Sequence, residues 1–162
     1  MKQIFALSSM ILILSAFLNS CNKKDNDKIN SEFSFKVNGV LVTSEVHNAS
    51  VSLINGSLVT NITSSMHKDK RTINININAV KAGTYPFVSG TNQPNTAYGI
   101  YYPSYDNLFD TYSFESGSIT ISSIDTVART ISGTFSGKVR NSSSATFDIT
   151  EGKFSSNNLR RF

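Results

Sequence analysis

The chain has one cysteine, Cys21, three prolines and no tryptophan. A lone cysteine near the N-terminus excludes a disulfide framework in the rest of the chain, and also a thiolate zinc site or a cysteine nucleophile there. Histidine is nearly as scarce. His47 and His67 stand far apart with no H-E-x-x-H pair, so both are expected as surface or turn residues. There is no G-x-S-x-G elbow and no glycine-rich phosphate loop. Charge is thin too, with 11 acidic residues against 15 basic ones and a net +4. The basic residues are scattered apart from Lys23-Lys24, Lys68/Lys70/Arg71 and Arg160-Arg161. Nucleic-acid binding calls for a clustered basic face interleaved with aromatics, so no nucleic-acid partner is expected.

Long apolar runs are absent except at the start. Met1-Lys2 is basic, Ile4 to Leu18 is almost unbroken apolar sequence, and Leu18-Asn19-Ser20 leads into Cys21. The run is short of the ~20 residues a membrane span needs, and it contains Ser8, Ser9 and Ser15. It reads as a secretory signal over residues 1–20, cleaved before a cysteine that then carries lipid, a diacylglycerol thioether with an acyl chain such as palmitate. The four residues to Cys21 resemble a bacterial lipobox, with Asn19 where a smaller or apolar residue is commoner. Cleavage leaves a chain of single-domain size, long enough to build a core without disulfides.

Residues 21–32 are polar apart from Ile29 and are expected as a lipidated, flexible tether. Asn22, rather than an aspartate, follows the cysteine. By analogy with the enterobacterial sorting rule, the protein is expected in the outer membrane. Lys23-Lys24-Asp25-Asn26-Asp27 fits either surface display or a periplasm-facing anchor.

From Phe33 on, the apolar period is two, and no window carries a helical stripe. Asn38-Gly39 and Asn55-Gly56 each lie between apolar runs, the strongest short hairpin signal. The cleanest strand is Thr72 to Ala79. Ile73, Ile75 and Ile77 face a core, and Asn74, Asn76 and Asn78 form a row of amides facing solvent or a groove. Tyr98, Ile100 and Tyr102 share one side of another strand. Ser122-Ser123 shifts parity between Ile121 and Ile124, which predicts a bulge or strand end. Gly133 and Gly137 in the Thr130–Val139 strand predict bending or close backbone approach. The expected fold is all-β, an antiparallel β-sandwich or flattened barrel of roughly nine or ten short strands over residues 33–154. Residues 155–162 are expected as a polar tail.

Phe35-Lys36-Val37-Asn38-Gly39, Ala82-Gly83-Thr84-Tyr85-Pro86-Phe87, Gly117-Ser118-Ile119-Thr120-Ile121, Ile131-Ser132-Gly133-Thr134-Phe135 and Phe147 to Phe154 occur in this order. This pattern resembles the small lipoproteins of unknown function common in Bacteroidota. The resemblance implies a β-sandwich-like domain and carries no catalytic residues.

The best candidate recognition segment is Tyr98 to Asp110. Tyr98, Tyr101, Tyr102 and Tyr105 offer flat faces with polar tips for sugars or partners, and Asp106 and Asp110 offer hydrogen bonds. Two acids and an amide are too few for calcium, so neither a metal nor a cofactor is expected. Asp106, Asp110, Glu115, Asp125, Asp148 and Glu151 provide carboxylates, but spacing does not pair them as a glycosidase requires. Asp125-Thr126-Val127 resembles the O-glycosylation sequon of Bacteroidota at Thr126. The expectation is a lipid-anchored, non-enzymatic module of the cell envelope that contacts envelope proteins. The alternative is a glycan or small-ligand binding domain using Tyr98–Asp110.

Overall fold

A computed structural model describes residues 30–64, 70–89, 93–104 and 106–162. The expected signal, Cys21, most of the expected tether, His67 and Tyr105 lie outside the described residues. The described residues form strands and turns only.

The first hairpin joins β1 (Ser31–Val37) to β2 (Val40–Ser44), and the second joins β3 (Val46–Ile54) to β4 (Ser57–Ser64). Their Asn-Gly pairs adopt positive φ at both central residues: 46° and 83° at Asn38-Gly39, 50° and 79° at Asn55-Gly56. That is the twist a two-residue hairpin turn requires. β5 (Thr72–Ile77), the short β6 (Gly83–Pro86) and β7 (Ala97–Tyr102) follow, then the long strands β8 (Tyr112–Asp125), β9 (Thr130–Arg140) and β10 (Thr146–Ser156). A two-residue β11 (Arg160–Arg161) ends the chain.

All eleven strands belong to one strongly curled sheet, in the order β11-β3-β4-β5-β7-β8-β9-β10-β1-β2, with β6 alongside β8. The expected all-β class holds, but two separate packed sheets are not what forms. Alternation in a strand reports which face is apolar and is silent on which strands are neighbours. The core fills the concave side. Phe33, Phe35, Ile62, Ile75, Ile119 and Ile149 are all fully buried there. Phe87 stacks on Phe114 at 4.0 Å, and Phe35 meets Tyr101 edge-on at 6.2 Å. Each such buried aliphatic or aromatic side chain contributes about 1.5–3 kcal/mol of transfer free energy.

Four of the five register shifts lie among β8, β9, β10 and β1; the fifth is at Val46/Asn48 in the β3–β4 ladder. Register shifts occur at Phe114/Ser116 and Ile121/Ser123 in the β8–β9 ladder, at Ile149/Gly152 between β10 and β9, and at Ser34/Lys36 between β1 and β10. Each extra residue sharpens the local twist, and the second is the bulge expected at Ser122-Ser123. Glycines let the backbones touch here. A Cβ on Gly117 (φ 105°) would stand 2.1 Å from the Ser136 carbonyl oxygen, and one on Gly133 2.1 Å from that of Thr120.

Residues 155–162, expected as a polar tail, are placed by the sheet. Ser155 and Ser156 complete β10, Leu159 is buried in the core, and Arg160-Arg161 pair in parallel with Ser50-Val51 of β3. The tail thus spans from the end of β10 to the opposite arm of the curled sheet.

Candidate functional site

The outer face of β3, β4, β5 and β7 carries the largest polar network among the described residues. Alternation places Ile73, Ile75 and Ile77 inward, so Asn74 and Asn76 face outward. Antiparallel register sets Asn61 opposite Asn76 and Thr63 opposite Asn74. The side chains close a ring. Asn61 Nδ2 donates to Asn76 Oδ1 (2.9 Å), Asn76 Nδ2 to Asn74 Oδ1 (2.8 Å), Asn74 Nδ2 to Thr63 Oγ1 (2.7 Å), and Thr63 Oγ1 to Asn61 Oδ1 (3.2 Å). Asn48 on β3 donates into the same Asn61 oxygen at 2.9 Å. Each carboxamide has two N–H donors and two acceptor lone pairs. Asn61, Asn74 and Asn76 each commit an N–H to the ring.

β7 edges this ladder with aromatic surface. Its register pairs Tyr98 with Asn76 and Ile100 with Asn74. Tyr98, Ile100 and Tyr102 are half-buried on the same outer side. At one end the ladder opens into a groove of about 370 Å³ lined by His47, Thr63, Ser64, Thr72, Asn74, Tyr102 and Leu108. Its floor is internally satisfied: the Ser64 and Thr72 hydroxyls lie 3.0 Å apart, and Ile73 N donates to Ser64 Oγ at 3.0 Å. Thr63, Asn74, His47 and the Tyr102 ring form the walls. No carboxylate, lysine or arginine lines it among the described residues. At the other end Asn78 Nδ2 donates to the Gln93 carbonyl at 3.0 Å, tying the ladder to the loop before β7.

The described candidates of the Tyr98–Asp110 segment do not share one face. Tyr98 and Tyr102 lie on the outer face, and Tyr102 reaches the groove. Tyr101 points the opposite way into the core, 2% exposed, against Phe35 and Phe147. It is therefore withdrawn from any binding surface. Its neighbours Ile100 and Tyr102 already set its parity, so alternation alone separates it from them. Asp106 pairs with Lys70, linking the loop after β7 to the chain before β5. Asp110 serves Tyr112. Burial, and then the Asp110 carboxylate beside its hydroxyl, raise the Tyr112 pKa above the ordinary tyrosine value. Among the described residues no three His, Cys, Asp or Glu side chains converge.

The amide row on β5 is legible in sequence. Its partners Asn48, Asn61 and Thr63 are not, because register across β3 and β4 supplies them. Nor is the place of Leu108, on the groove wall. Thr126 lies half-buried in the β8–β9 turn, where Asp125 Oδ1 accepts from Val127 N and Ala128 N, both at 2.8 Å.

A family model described as a domain of unknown function (DUF6252) matches residues 30–156. No curated protein and no solved structure matches the chain.

Proposed function

Since the chain belongs to the DUF6252 family, whose description assigns no activity, we propose from the site itself a lipid-anchored, non-enzymatic module of the outer membrane that binds neutral glycans. The ligand lies on the outer face of β3, β4, β5 and β7, with one end in the groove beside Tyr102. Envelope proteins that carry such glycans are partners of the same kind.

The observation that carries this reading is the closed Asn61–Asn76–Asn74–Thr63 ring beside Tyr98 and Tyr102. A sugar presents hydroxyl groups at its edges and apolar C–H patches on its faces. Carboxamides donate and accept at once, which suits hydroxyls, and a tyrosine ring suits the C–H face. The ring also holds its amides in place before the ligand arrives, which lowers the ordering entropy of binding. Among the described residues the walls carry no charged side chain, which favours neutral over acidic saccharides. The anchor is supported by the apolar run ending at Cys21 and by the resemblance to small Bacteroidota lipoproteins. On this reading the curled sheet is a flattened barrel that binds on its outside, and its core is purely structural.

The test is titration of the full chain against neutral and acidic oligosaccharides. Neutral ligands bind in the micromolar to millimolar range, and Tyr102→Ala weakens them about tenfold or more, by loss of a stacked ring. Equal binding of acidic ligands, or no effect of Tyr102→Ala, overturns the glycan site. Separately, Cys21→Ala releases the protein from the membrane fraction. Unchanged fractionation with unchanged mass overturns the anchor.

A further inference from the structure

We infer that the end of the domain formed by the β8–β9 turn and the C-terminal strand is a second membrane contact, which lies on anionic lipid headgroups beside the anchor. The inference rests on the proposed lipidation of Cys21.

The described chain begins at this end. Asn30 N donates to Asn157 Oδ1 at 2.8 Å, and Asn157 N donates back to the Asn30 carbonyl at 3.2 Å. Residues between Cys21 and Asn30 span at most about 30 Å even when fully extended. On the proposed anchor, the pole around Asn157 is therefore held within about 30 Å of the lipid.

Three arginines converge there. Arg129 (φ 60°) ends the β8–β9 turn, and its guanidinium donates to the Asn158 side chain at 2.6 Å and to the Leu159 carbonyl at 3.3 Å. Leu159 N donates back to the Arg129 carbonyl at 2.9 Å. Arg160 and Arg161 follow directly, both exposed. Together with Thr126, Leu159 and Phe162 these arginines line a shallow concavity of about 380 Å³.

Large apolar side chains stand free beside them. Val127 at the turn is 92% exposed and Phe162 76%. Phe162 N donates to the Val51 carbonyl at 3.0 Å, which places the last residue alongside β3 just before Leu53, itself 65% exposed. Leu53 pairs with Leu58 where this hairpin runs past the core. Among the described residues Asp125 lies in the same turn, its Oδ1 engaged by Val127 N and Ala128 N, and Glu32 lies on β1, while Asp25 and Asp27 precede Asn30 in the sequence.

Exposed aromatic and aliphatic side chains interleaved with arginines are the composition of an interfacial surface. The apolar groups enter the headgroup boundary and the cations meet anionic lipid. A soluble partner would not need the patch to coincide with the anchored end, whereas a bilayer does. A glycan on Thr126 would crowd the same concavity, so that modification and this contact exclude one another.

The test uses the full-length lipidated protein in vesicles of phosphatidylglycerol and phosphatidylethanolamine carrying a headgroup-linked quencher. Cys21 is the only native thiol, so once it is lipidated an introduced cysteine takes a fluorophore alone. Val127→Cys reports on the proposed contact. Ser143→Cys, in the turn at the other end of β9, reports about 30 Å away. Quenching at 127 should exceed that at 143 at least fivefold. It should fall severalfold with Arg160→Glu plus Arg161→Glu, and also in 1 M salt with the chain unsubstituted. Equal quenching at the two positions, or quenching insensitive to both charge reversal and salt, overturns the contact. Mass of the purified chain reports lipid on Cys21 independently. Absent lipid overturns the anchor on which the contact rests, whereas lipid present with equal quenching at the two positions overturns the contact alone.

Discussion

The two arms of the sheet solve different problems. β8, β9, β10 and β1 carry four register shifts, buried phenylalanines and glycines whose backbones touch. The β4–β5 and β5–β7 ladders have no shift, the β3–β4 ladder has one at Val46/Asn48, and the inner face here carries Ile62, Ile73, Ile75 and Ile77 with Ala97 and Tyr101 of β7. The bulged arm makes the curvature. β4 and β5 keep their outer side chains in an even lattice, which sets Asn61 opposite Asn76 and Thr63 opposite Asn74. A bulge in β4 or β5 would turn half the ring to the wrong face. Most of the register shifts and the proposed recognition surface thus occupy separate strands.

The largest expected effect breaks the bulged arm. Gly117→Ala adds a Cβ 2.1 Å from a backbone oxygen at a φ of 105°. The clash and the strained backbone together should cost about 3 kcal/mol or more, read as a drop in the denaturant midpoint. The same change in the regular arm, Gly99→Ala, meets the packed Phe114 ring at 2.9 Å and the Asn74 carbonyl oxygen at 3.1 Å, contacts less severe than those at Gly117. Its cost should be smaller, about 2 kcal/mol. Equal losses would mean that curvature is not localised as described.

A smaller effect sharpens the contrast from the other side. Thr63→Val opens the amide ring while preserving shape. Because the site is half-buried and water can replace the hydroxyl, stability should fall by only about 1 kcal/mol. Glycan affinity should nevertheless drop severalfold in the same titration, since Asn74 and Asn61 lose their alignment. A stability loss as large as that of Gly117→Ala would make the ring a structural element first.

The smallest effect is electrostatic. Arg140 holds Glu115 through two contacts, 2.5 and 3.2 Å, across the β8–β9 bulge. The Arg140 hydrogen bond is the largest cause lowering the Glu115 pKa below the ordinary glutamate value. A depressed carboxylate stabilises the fold above its unfolded-state pKa and loses that contribution as pH falls through the folded value. Arg140→Gln should therefore be slightly less stable than the parent at neutral pH, and the two should converge in acid. The pair is exposed, so the difference should be small and shrink with salt. A gap that widens on acidification would reverse the assignment.

Much of the regular arm is readable in the chain. The Thr-Ile-Asn-Ile-Asn-Ile run of β5 states its own two faces, and each Asn-Gly pair states its turn. The Ser122-Ser123 parity slip states its bulge. What alternation leaves out is adjacency. The sequence shows amides on β5 but not that Asn61 and Thr63 stand across from them, because pairing is chosen by the whole fold. The same gap separates two packed sheets from one curled sheet. Leu159, the one aliphatic residue in a polar stretch, looks like tail until the core closes over it.

The pairing of β1 with β10 has a consequence in time. Ser31 meets Ser156, and β11 then fastens onto β3 through the last residues of the chain. A polypeptide delivered N-terminus first can build the β1–β2 and β3–β4 hairpins early, but these are local pieces. The curl itself waits until the far end has emerged, because its partner strands are separated by most of the sequence. Contacts so distant in the chain make for slow folding. On the proposed export signal, such lateness would keep the passenger extended until transit is complete.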